Sequence, residues 1–195
     1  MRTRQKIITS IAATLISGIF FLGSAFAQNA PQVTFETTMG NIVIELDMNN
    51  APETSSNFLL YAQSDFYEGT IFHRVIDGFM IQGGGFTAQM ENKPTHAPIR
   101  LEISPNLKNT RGTIAMARTN NPNSATSQFF INVADNPNLD VPNPDGYGYA
   151  VFGRVIQGMD IVDQIRVVPT GTSHGHQNVP LTPIIVNKVS ISLPS

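Results

Sequence analysis

Residues 72–84 read FHRVIDGFMIQGG, and this stretch decides both the fold and the chemistry that we predict. Three polar side chains, those of His73, Arg74 and Gln82, stand in a run that is otherwise mostly apolar and ends in glycine. Arginine is almost never fully buried unless it is paired, so an arginine among hydrophobic residues indicates a side chain that faces a site. The stretch therefore predicts a cationic donor beside an apolar surface.

The same stretch resembles the signature of the cyclophilin-type peptidyl-prolyl cis-trans isomerases. From Tyr67 to Gly84, every position that defines the family pattern holds an acceptable residue. Three further blocks follow in the family's order, namely residues 112–117 (GTIAMA), 127–131 (SQFFI) and 150–155 (AVFGRV). The resemblance covers residues 33 to about 192. In its details, the sequence resembles the bacterial periplasmic branch of the family.

The N-terminus has the layout of a secretory signal peptide. Arg2, Arg4 and Lys6 precede an apolar stretch over residues 7–26, and residues 25–27 read Ala-Phe-Ala. This ending predicts cleavage after Ala27, so residues 1–27 are expected to be a signal peptide and the periplasm the destination, with full secretion as the second choice. The alternative is a single membrane anchor, which is disfavoured because polar residues and glycine dilute the apolar stretch.

The remaining residues, 28–195, have the length of one domain. Without the three basic residues of the leader, the formal net charge falls from −2 to −5, which disfavours a nucleic-acid partner. No later segment approaches the roughly 20 apolar residues of a membrane span. The chain has no cysteine, which excludes disulfides, thiol catalysis and thiolate metal sites. We expect a monomer that needs no metal and no cofactor.

Sequence patterns predict a mainly β fold. Residues 33–37 and 42–46 alternate apolar and polar side chains around a turn, which predicts a hairpin. Pro52 and Glu53 indicate the start of a helix, and a second short helix is predicted over residues 158–165. Further strands are predicted over residues 70–76, 80–82, 113–117, 128–133, 150–155 and 183–191. These patterns do not separate a barrel from a sandwich; the resemblance implies a closed eight-stranded antiparallel β-barrel capped by two α-helices.

The implied reaction is rotation about an Xaa-Pro amide, which has a barrier of about 18–20 kcal/mol. No bond breaks, so neither a nucleophile nor a metal is required. A donor aimed at the prolyl nitrogen weakens the conjugation, while a dry pocket holds the ring. The guanidinium of Arg74 suits this role because it stays charged and presents several N–H groups in one plane.

The family motif assigns roles to nine residues of this chain. The catalytic set that it implies is Arg74, Gln82 and Phe79. The substrate-binding set that it implies is Met80, Ala117, Arg118, Phe130, Leu139 and Tyr149. Ala117 and Arg118 match a strand edge against which an extended peptide lies, and the contact at Arg118 is expected to be largely main-chain. His73 is expected to have a structural role. The implied partners are proline-containing unfolded or flexible polypeptides.

Two positions depart from familiar eukaryotic members of the family. Asn138 stands where those members carry a tryptophan that contributes to cyclosporin binding, so binding of that inhibitor is expected to be weak. Tyr149 aligns with the family's pocket histidine, and a tyrosine can close the same wall.

Three features of the chain allow other interpretations. Residues 83–85 are three glycines but lack the Lys-Ser/Thr ending of a phosphate loop, so close backbone approach is favoured. His174 and His176 lack a nearby carboxylate, which favours a solvated Gly-Ser-rich loop over a metal site. The competing function is a proline-peptide binding module or holdase without turnover. Such domains are expected to lose the arginine or the phenylalanine of the apolar surface that receives the proline ring, and this chain keeps both.

Overall fold

The computed structural model describes residues 30–193, and the predicted signal peptide lies outside the described residues. The described part contains the helices α1 (Pro52–Gln63) and α2 (Met159–Arg166) and a 3₁₀ helix (Pro137–Leu139). Its strands are β1 (Gln32–Thr37), β2 (Gly40–Leu46), β3 (Thr70–Ile76), β4 (Met80–Thr87), β5 (Thr113–Met116), β6 (Phe129–Asn132), β7 (Val151–Gln157), β8 (Thr170–Ser173), β9 (His176–Pro180) and β10 (Val186–Ser192). Neither α-helix between residues 30 and 193 has the length and apolar character needed to cross a membrane.

Eight strands form one antiparallel sheet in the order β10-β1-β2-β7-β5-β6-β4-β3. The sheet curls until its two edge strands meet. The N–H of Gly69 donates to the carbonyl of Val186 over 2.8 Å, and that of Phe72 donates to the carbonyl of Ile184 over 3.1 Å. The predicted mainly β architecture of eight antiparallel strands with two helices is confirmed. The edges close through this short contact rather than through a full ladder.

The interior of the curled sheet holds a cluster of aromatic rings. Phe35, Phe58, Tyr67 and Phe129 pack against one another with ring centroids 5.1 to 6.0 Å apart. They come from β1, α1, the segment before β3, and β6, so burial of these rings joins parts of the chain that are far apart in sequence. The predicted hairpin of β1 and β2 is confirmed, with Thr37 paired to Gly40 at its turn.

Helix α1 begins at Pro52, as the sequence predicts, and Glu53 lies in its first turn. The residue before it, Ala51, has no side chain that can cap the helix. Instead, the Glu102 carboxylate accepts hydrogen bonds from the N–H groups of Glu53 and Thr54, over 3.1 and 2.7 Å. This distant carboxylate satisfies two of the N–H groups that a helix start leaves unpaired.

Strand β4 runs five residues further than the predicted 80–82, because it passes through the three glycines. Gly84 has a φ of +82°, and a Cβ there would lie 2.8 Å from the Phe129 ring and 2.9 Å from the carbonyl oxygen of Ser127. Close backbone approach is therefore the reason for the glycines, as predicted. Glycine is poor in strands on propensity alone, so the pattern hid the length of β4.

The exposed loop expected around His174 and His176 is shorter than predicted, because His174 and Gly175 form an exposed turn while His176 already belongs to β9. Strands β8 and β9 form a separate two-stranded hairpin, and Ser173 pairs with His176 across its turn. His174 and Gly175 both have positive φ, 50° and 81°, which suits a tight hairpin turn. The strands were missed because their residues are mostly polar, so they carry no clear apolar alternation.

Candidate active site

One row of paired residues crosses the sheet. The register pairs Arg74 with Gln82, Gln82 with Phe130, Phe130 with Ala115, and Ala115 with Val151. Directly paired residues of antiparallel strands point to the same face. The alternate positions of these strands belong to the aromatic core, so the row lies on the outer face. Strand pairing thus brings the predicted arginine, glutamine and floor phenylalanine together.

The guanidinium of Arg74 is half-buried and points towards its cross-strand partner. Its Nη1 donates to Oε1 of Gln82 over 3.4 Å, and Nε2 of Gln82 donates to Oε1 of Gln128 over 3.0 Å. None of the ion pairs between residues 30 and 193 includes Arg74. Its N–H groups are therefore not committed to a carboxylate in the described part of the chain.

The apolar surface beside Arg74 is a second hydrophobic cluster, separate from the aromatic core. Its buried members are Met80, Ala115, Phe130, Leu139 and Val151. Half-buried side chains at its margin include those of Phe79, Ala117 and Tyr149. The structure thus collects in one cluster all six apolar or aromatic residues that the motif assigned to the site.

Ala117 and Arg118 follow the end of β5. The N–H of Ala117 donates to the carbonyl of Gln128 over 2.9 Å, so that group is already used within the sheet. The side chain of Arg118 is buried and turns towards residues 145–149. The expected main-chain contact with a peptide at this edge stays a prediction, whereas the side-chain contacts of Arg118 were not foreseen.

Three buried asparagines, Asn109, Asn132 and Asn136, lie beneath the apolar cluster and were missed by the sequence analysis. Nδ2 of Asn132 donates to Oδ1 of Asn109 over 3.2 Å, and Nδ2 of Asn136 donates to Oδ1 of Asn132 over 2.7 Å. Because a buried amide left unpaired is costly, such a network holds its members in one arrangement.

This network also holds the backbone of the pocket walls. Asn136 Nδ2 donates to the carbonyl of Phe79 over 2.8 Å. Asn109 Nδ2 contacts the carbonyls of Leu139 and Tyr149, each at 3.3 Å. Three wall residues from separate segments are thereby tied to one polar cluster. Asparagine is common in loops, so its abundance in this sequence carried no signal of such a role.

Gln128 is a further residue of the site that the sequence analysis did not single out. It fixes the amide of Gln82, as described above, and it packs over Gly85, where a Cβ would lie 2.5 Å from Nε2 of Gln128. The third glycine of residues 83–85 therefore leaves room for this side chain. Its position next to the aromatic pair of β6 was the only available signal.

The side chain of His73 is buried, which fits its predicted structural role. It is 4% exposed, and its ring packs against that of Phe86 with centroids 4.6 Å apart. Its buried Nδ1 has no hydrogen-bond partner within residues 30–193. Burial, with smaller contributions from His176 and Arg74, lowers the pKa of His73 to about 4. The imidazole is therefore neutral at physiological pH.

The lowered pKa of His73 predicts a loss of stability in mild acid. The unfolded chain takes up a proton at this residue near pH 6.5, whereas the folded chain does so only near pH 4. The free energy of unfolding should therefore be about 2 kcal/mol lower at pH 5 than at pH 8 because of this residue. Urea unfolding at both pH values, comparing wild type with His73→Gln, measures the difference; the exposed His174→Gln is the control. An equal pH dependence in wild type and His73→Gln would contradict the assignment.

A cavity of about 660 Å³ lies elsewhere, between the end of β2, residues 106–110 and β7. It contains neither Arg74 nor Gln82, and the arginine at its rim, Arg154, is paired with Glu45 over 2.8 Å. Within residues 30–193, no three His, Asp or Glu side chains come together as metal ligands would. The row with Arg74 and the apolar cluster is therefore the candidate site.

The chain is similar to known proteins over almost all of the described residues. The family model described as cyclophilin type peptidyl-prolyl cis-trans isomerase/CLD matches residues 32–191. A peptidyl-prolyl cis-trans isomerase of Acinetobacter baylyi is 55% identical, over 92% of this chain and 94% of its own. Peptidyl-prolyl cis-trans isomerase B of Escherichia coli is 54% identical, over 82% and 99%. Peptidyl-prolyl cis-trans isomerase A of Dickeya dadantii is 47% identical, over 96% and 98%.

A solved structure is also similar over nearly its whole length. The cyclophilin type peptidyl-prolyl cis-trans isomerase of Cryptosporidium parvum, crystallised in the presence of the dipeptide Ala-Pro, is 30% identical with a TM-score of 0.68. The match covers 83% of this chain and 98% of that protein.

Proposed function

Because this chain belongs to the cyclophilin-type peptidyl-prolyl cis-trans isomerase family, we propose that it accelerates rotation about Xaa-Pro bonds during the folding of exported proteins. Arg74 is the residue that weakens the amide conjugation. The observation that carries the proposal is the shared row of Arg74, Gln82 and Phe130 on the outer face of the sheet. In this row, an arginine that has no carboxylate partner in the described part of the chain lies beside an apolar cluster.

Two parts of the site act on the substrate, namely the hydrogen-bond donor Arg74 and the apolar surface on which the prolyl ring packs. The substrate's prolyl ring packs on the cluster of Met80, Phe130 and Leu139, where little water competes for hydrogen bonds. An N–H of Arg74 then donates to the prolyl nitrogen as its lone pair localises in the twisted amide. This hydrogen bond is stronger in the twisted state than in either planar isomer, which is the condition for catalysis.

Gln82 positions the hydrogen-bond donor in this mechanism. Its Oε1 accepts from Arg74 and so holds the guanidinium against the sheet, while Gln128 fixes the orientation of its amide. A fixed donor loses less conformational entropy when the substrate binds, so more of the binding free energy is available in the transition state. The neutral, buried His73 takes no part, because the reaction moves no proton.

The proposed substrates are proline-containing segments of unfolded or flexible chains. The Cryptosporidium parvum relative, studied with Ala-Pro, supports this class of ligand. An isomerisation assay on the purified residues 28–195 with a short Xaa-Pro peptide tests the proposal. Catalysed interconversion supports it. Peptide binding without turnover would support the competing function, a binding module or holdase.

The link to exported proteins rests on the predicted leader. The similarity to the Dickeya dadantii relative covers 96% of this chain. Residues 28–195 make up a smaller share of the chain, so the match includes part of the leader. The test is fractionation of cells that express the full chain. A periplasmic protein that begins at Gln28 and behaves as a monomer in gel filtration supports the proposal, whereas an uncleaved cytoplasmic protein would refute it.

Cyclosporin should inhibit this enzyme weakly. Asn138 is exposed on the 3₁₀ helix beside Leu139, where familiar eukaryotic members of the family present a tryptophan to the inhibitor. An amide buries far less apolar area than an indole, and apolar burial contributes about 25 cal/mol per Å². Inhibition of the isomerase reaction should therefore improve about tenfold or more in Asn138→Trp. A nanomolar inhibition constant for the wild-type enzyme would contradict this prediction.

A further inference from the structure

The side chain of Arg118 is one of the most constrained in the described chain. It is only 1% exposed, and its three guanidinium nitrogens all donate hydrogen bonds. Nε and Nη2 reach the carbonyl of Gly148 over 3.1 and 2.8 Å, Nη1 reaches the carbonyl of Thr119 over 3.0 Å, and Nη2 also reaches Oδ1 of Asp145 over 2.8 Å. These acceptors surround the edge of the guanidinium plane and leave its faces for other contacts.

One face of this plane covers the ring of Tyr149. Cζ of Arg118 lies 4.5 Å from the ring centroid, within the range of a cation–π contact. The Tyr149 ring in turn meets the Phe130 ring edge to face, with centroids 5.6 Å apart and planes at 79°. Arg118, Tyr149 and Phe130 therefore form a continuous stack that ends at the floor of the apolar cluster.

The backbone and the ring of Tyr149 are held by different groups. Its N–H donates to the carbonyl of Leu139 over 2.9 Å, and its carbonyl accepts from Asn109. These contacts place Cα but leave the side-chain torsions free. The ring is restrained by its contacts with Phe130 and with the guanidinium, so removing the guanidinium allows the ring to turn.

From these contacts we propose that Arg118 is a positioning residue, which holds Tyr149 as a fixed wall of the proline pocket and so raises the affinity for the prolyl ring. The proposal rests on the proposed function in that it takes the apolar cluster as the place where proline binds. Arg118 itself does not touch substrate, because its side chain is buried and four of its five N–H groups already donate within the protein. This role differs from the main-chain contact expected from the family motif.

The charge of Asp145 is consistent with this arrangement. The hydrogen bond that Asp145 accepts from Arg118 is the main reason why the pKa of the Asp145 carboxyl is lowered, so the pair stays ionised at neutral pH. The same carboxylate accepts the N–H of Tyr147 over 3.2 Å. The pair thus fixes the short segment 145–148 that leads into Tyr149.

A double-mutant cycle tests the proposal with the purified residues 28–195. Arg118→Ala and Tyr149→Ala are made singly and together, and kcat and KM are measured on one Xaa-Pro peptide. We expect each single variant to raise KM about fivefold with kcat within about twofold. The double variant should have the KM of Tyr149→Ala alone, because Arg118 acts only through that ring. Arg154→Ala, which removes an exposed arginine paired with Glu45, is the matched control and should leave KM unchanged.

Several results would overturn the proposal. Multiplicative effects in the double variant would show that Arg118 acts independently of Tyr149, and an unchanged KM in Arg118→Ala would show that the stack does not shape the pocket. If Arg118→Ala does not fold, Arg118→Lys is used for the test. A lysine ammonium has no flat face to lie on the Tyr149 ring and cannot present several donors in one plane as a guanidinium does. Its KM should rise at least about twofold, and wild-type KM would refute the proposal.

Failure of this inference is distinguishable from failure of the proposed function. If Arg74 proves dispensable for turnover, the proposed mechanism fails, but the cycle can still be measured as direct binding of the same peptide. If turnover depends on Arg74 while the Arg118 and Tyr149 effects multiply, only the positioning role of Arg118 fails.

Discussion

Arg74→Ala should lower kcat/KM by at least about 100-fold, which corresponds to about 3 kcal/mol of lost transition-state stabilisation. The substitution removes the only charged side chain of the row that pairs β3, β4, β6, β5 and β7, and it leaves the apolar floor intact. KM should therefore change less than kcat, since the lost hydrogen bond forms mainly in the twisted amide. The measurement is the isomerisation rate of an Xaa-Pro peptide over a range of peptide concentrations.

Two further variants make this result specific. Arg74→Lys keeps the positive charge but loses the planar fork, so it should recover only part of the rate. Arg154→Ala removes a different cross-strand arginine, one that lies on β7 and pairs with Glu45, and should retain the full rate. Equal activity of wild type and Arg74→Ala, with both proteins folded, would refute the assignment of Arg74.

Phe129→Ala should lower the free energy of unfolding by about 4 kcal/mol, a large part of the stability of an ordinary domain. Phe129 is 1% exposed, and its ring contacts the rings of Phe35, Phe58, Tyr67 and Phe72. Truncation leaves a cavity that four rigid rings cannot close. Urea or thermal unfolding measures the loss, and a change below about 1 kcal/mol would contradict this view of the core.

The next residue along β6, Phe130, provides the matched control. Its side chain lies on the outer face, in the small cluster with Met80 and Leu139. Phe130→Ala should destabilise the fold less than Phe129→Ala but should lower kcat/KM about tenfold or more, because it removes the floor for the prolyl ring. Folded Phe129→Ala should keep most of its activity. The two substitutions at neighbouring positions thus separate the core from the pocket.

Much of this molecule could be predicted from local sequence. The motif around Arg74 indicated the family, which the match over residues 32–191 confirms. The hairpin of β1 and β2, the start of α1 at Pro52 and the presence of most strands followed from alternation and turn residues. These features depend on interactions between residues that are close in the chain, so their signals are present in short segments.

Other features could not be predicted because their partners lie far apart in the chain. Glu102 caps α1 from 48 residues away from Thr54. The asparagine network and the stack of Arg118 on Tyr149 likewise join side chains that no local pattern connects. The hairpin of β8 and β9 was missed for a different reason, since its mostly polar residues give no apolar alternation.

The sequence by itself determined the family, the mainly β architecture and the identity of the proposed donor, because each of these can be recognised from residues that are close together in the chain. Only the tertiary structure decided that Arg74, Gln82 and Phe130 share one row, and which buried amides and guanidinium hold the walls around them. The physical reason is strand register. Burial of the aromatic core sets how distant strands pair, and that pairing then determines which side chains meet on the opposite face.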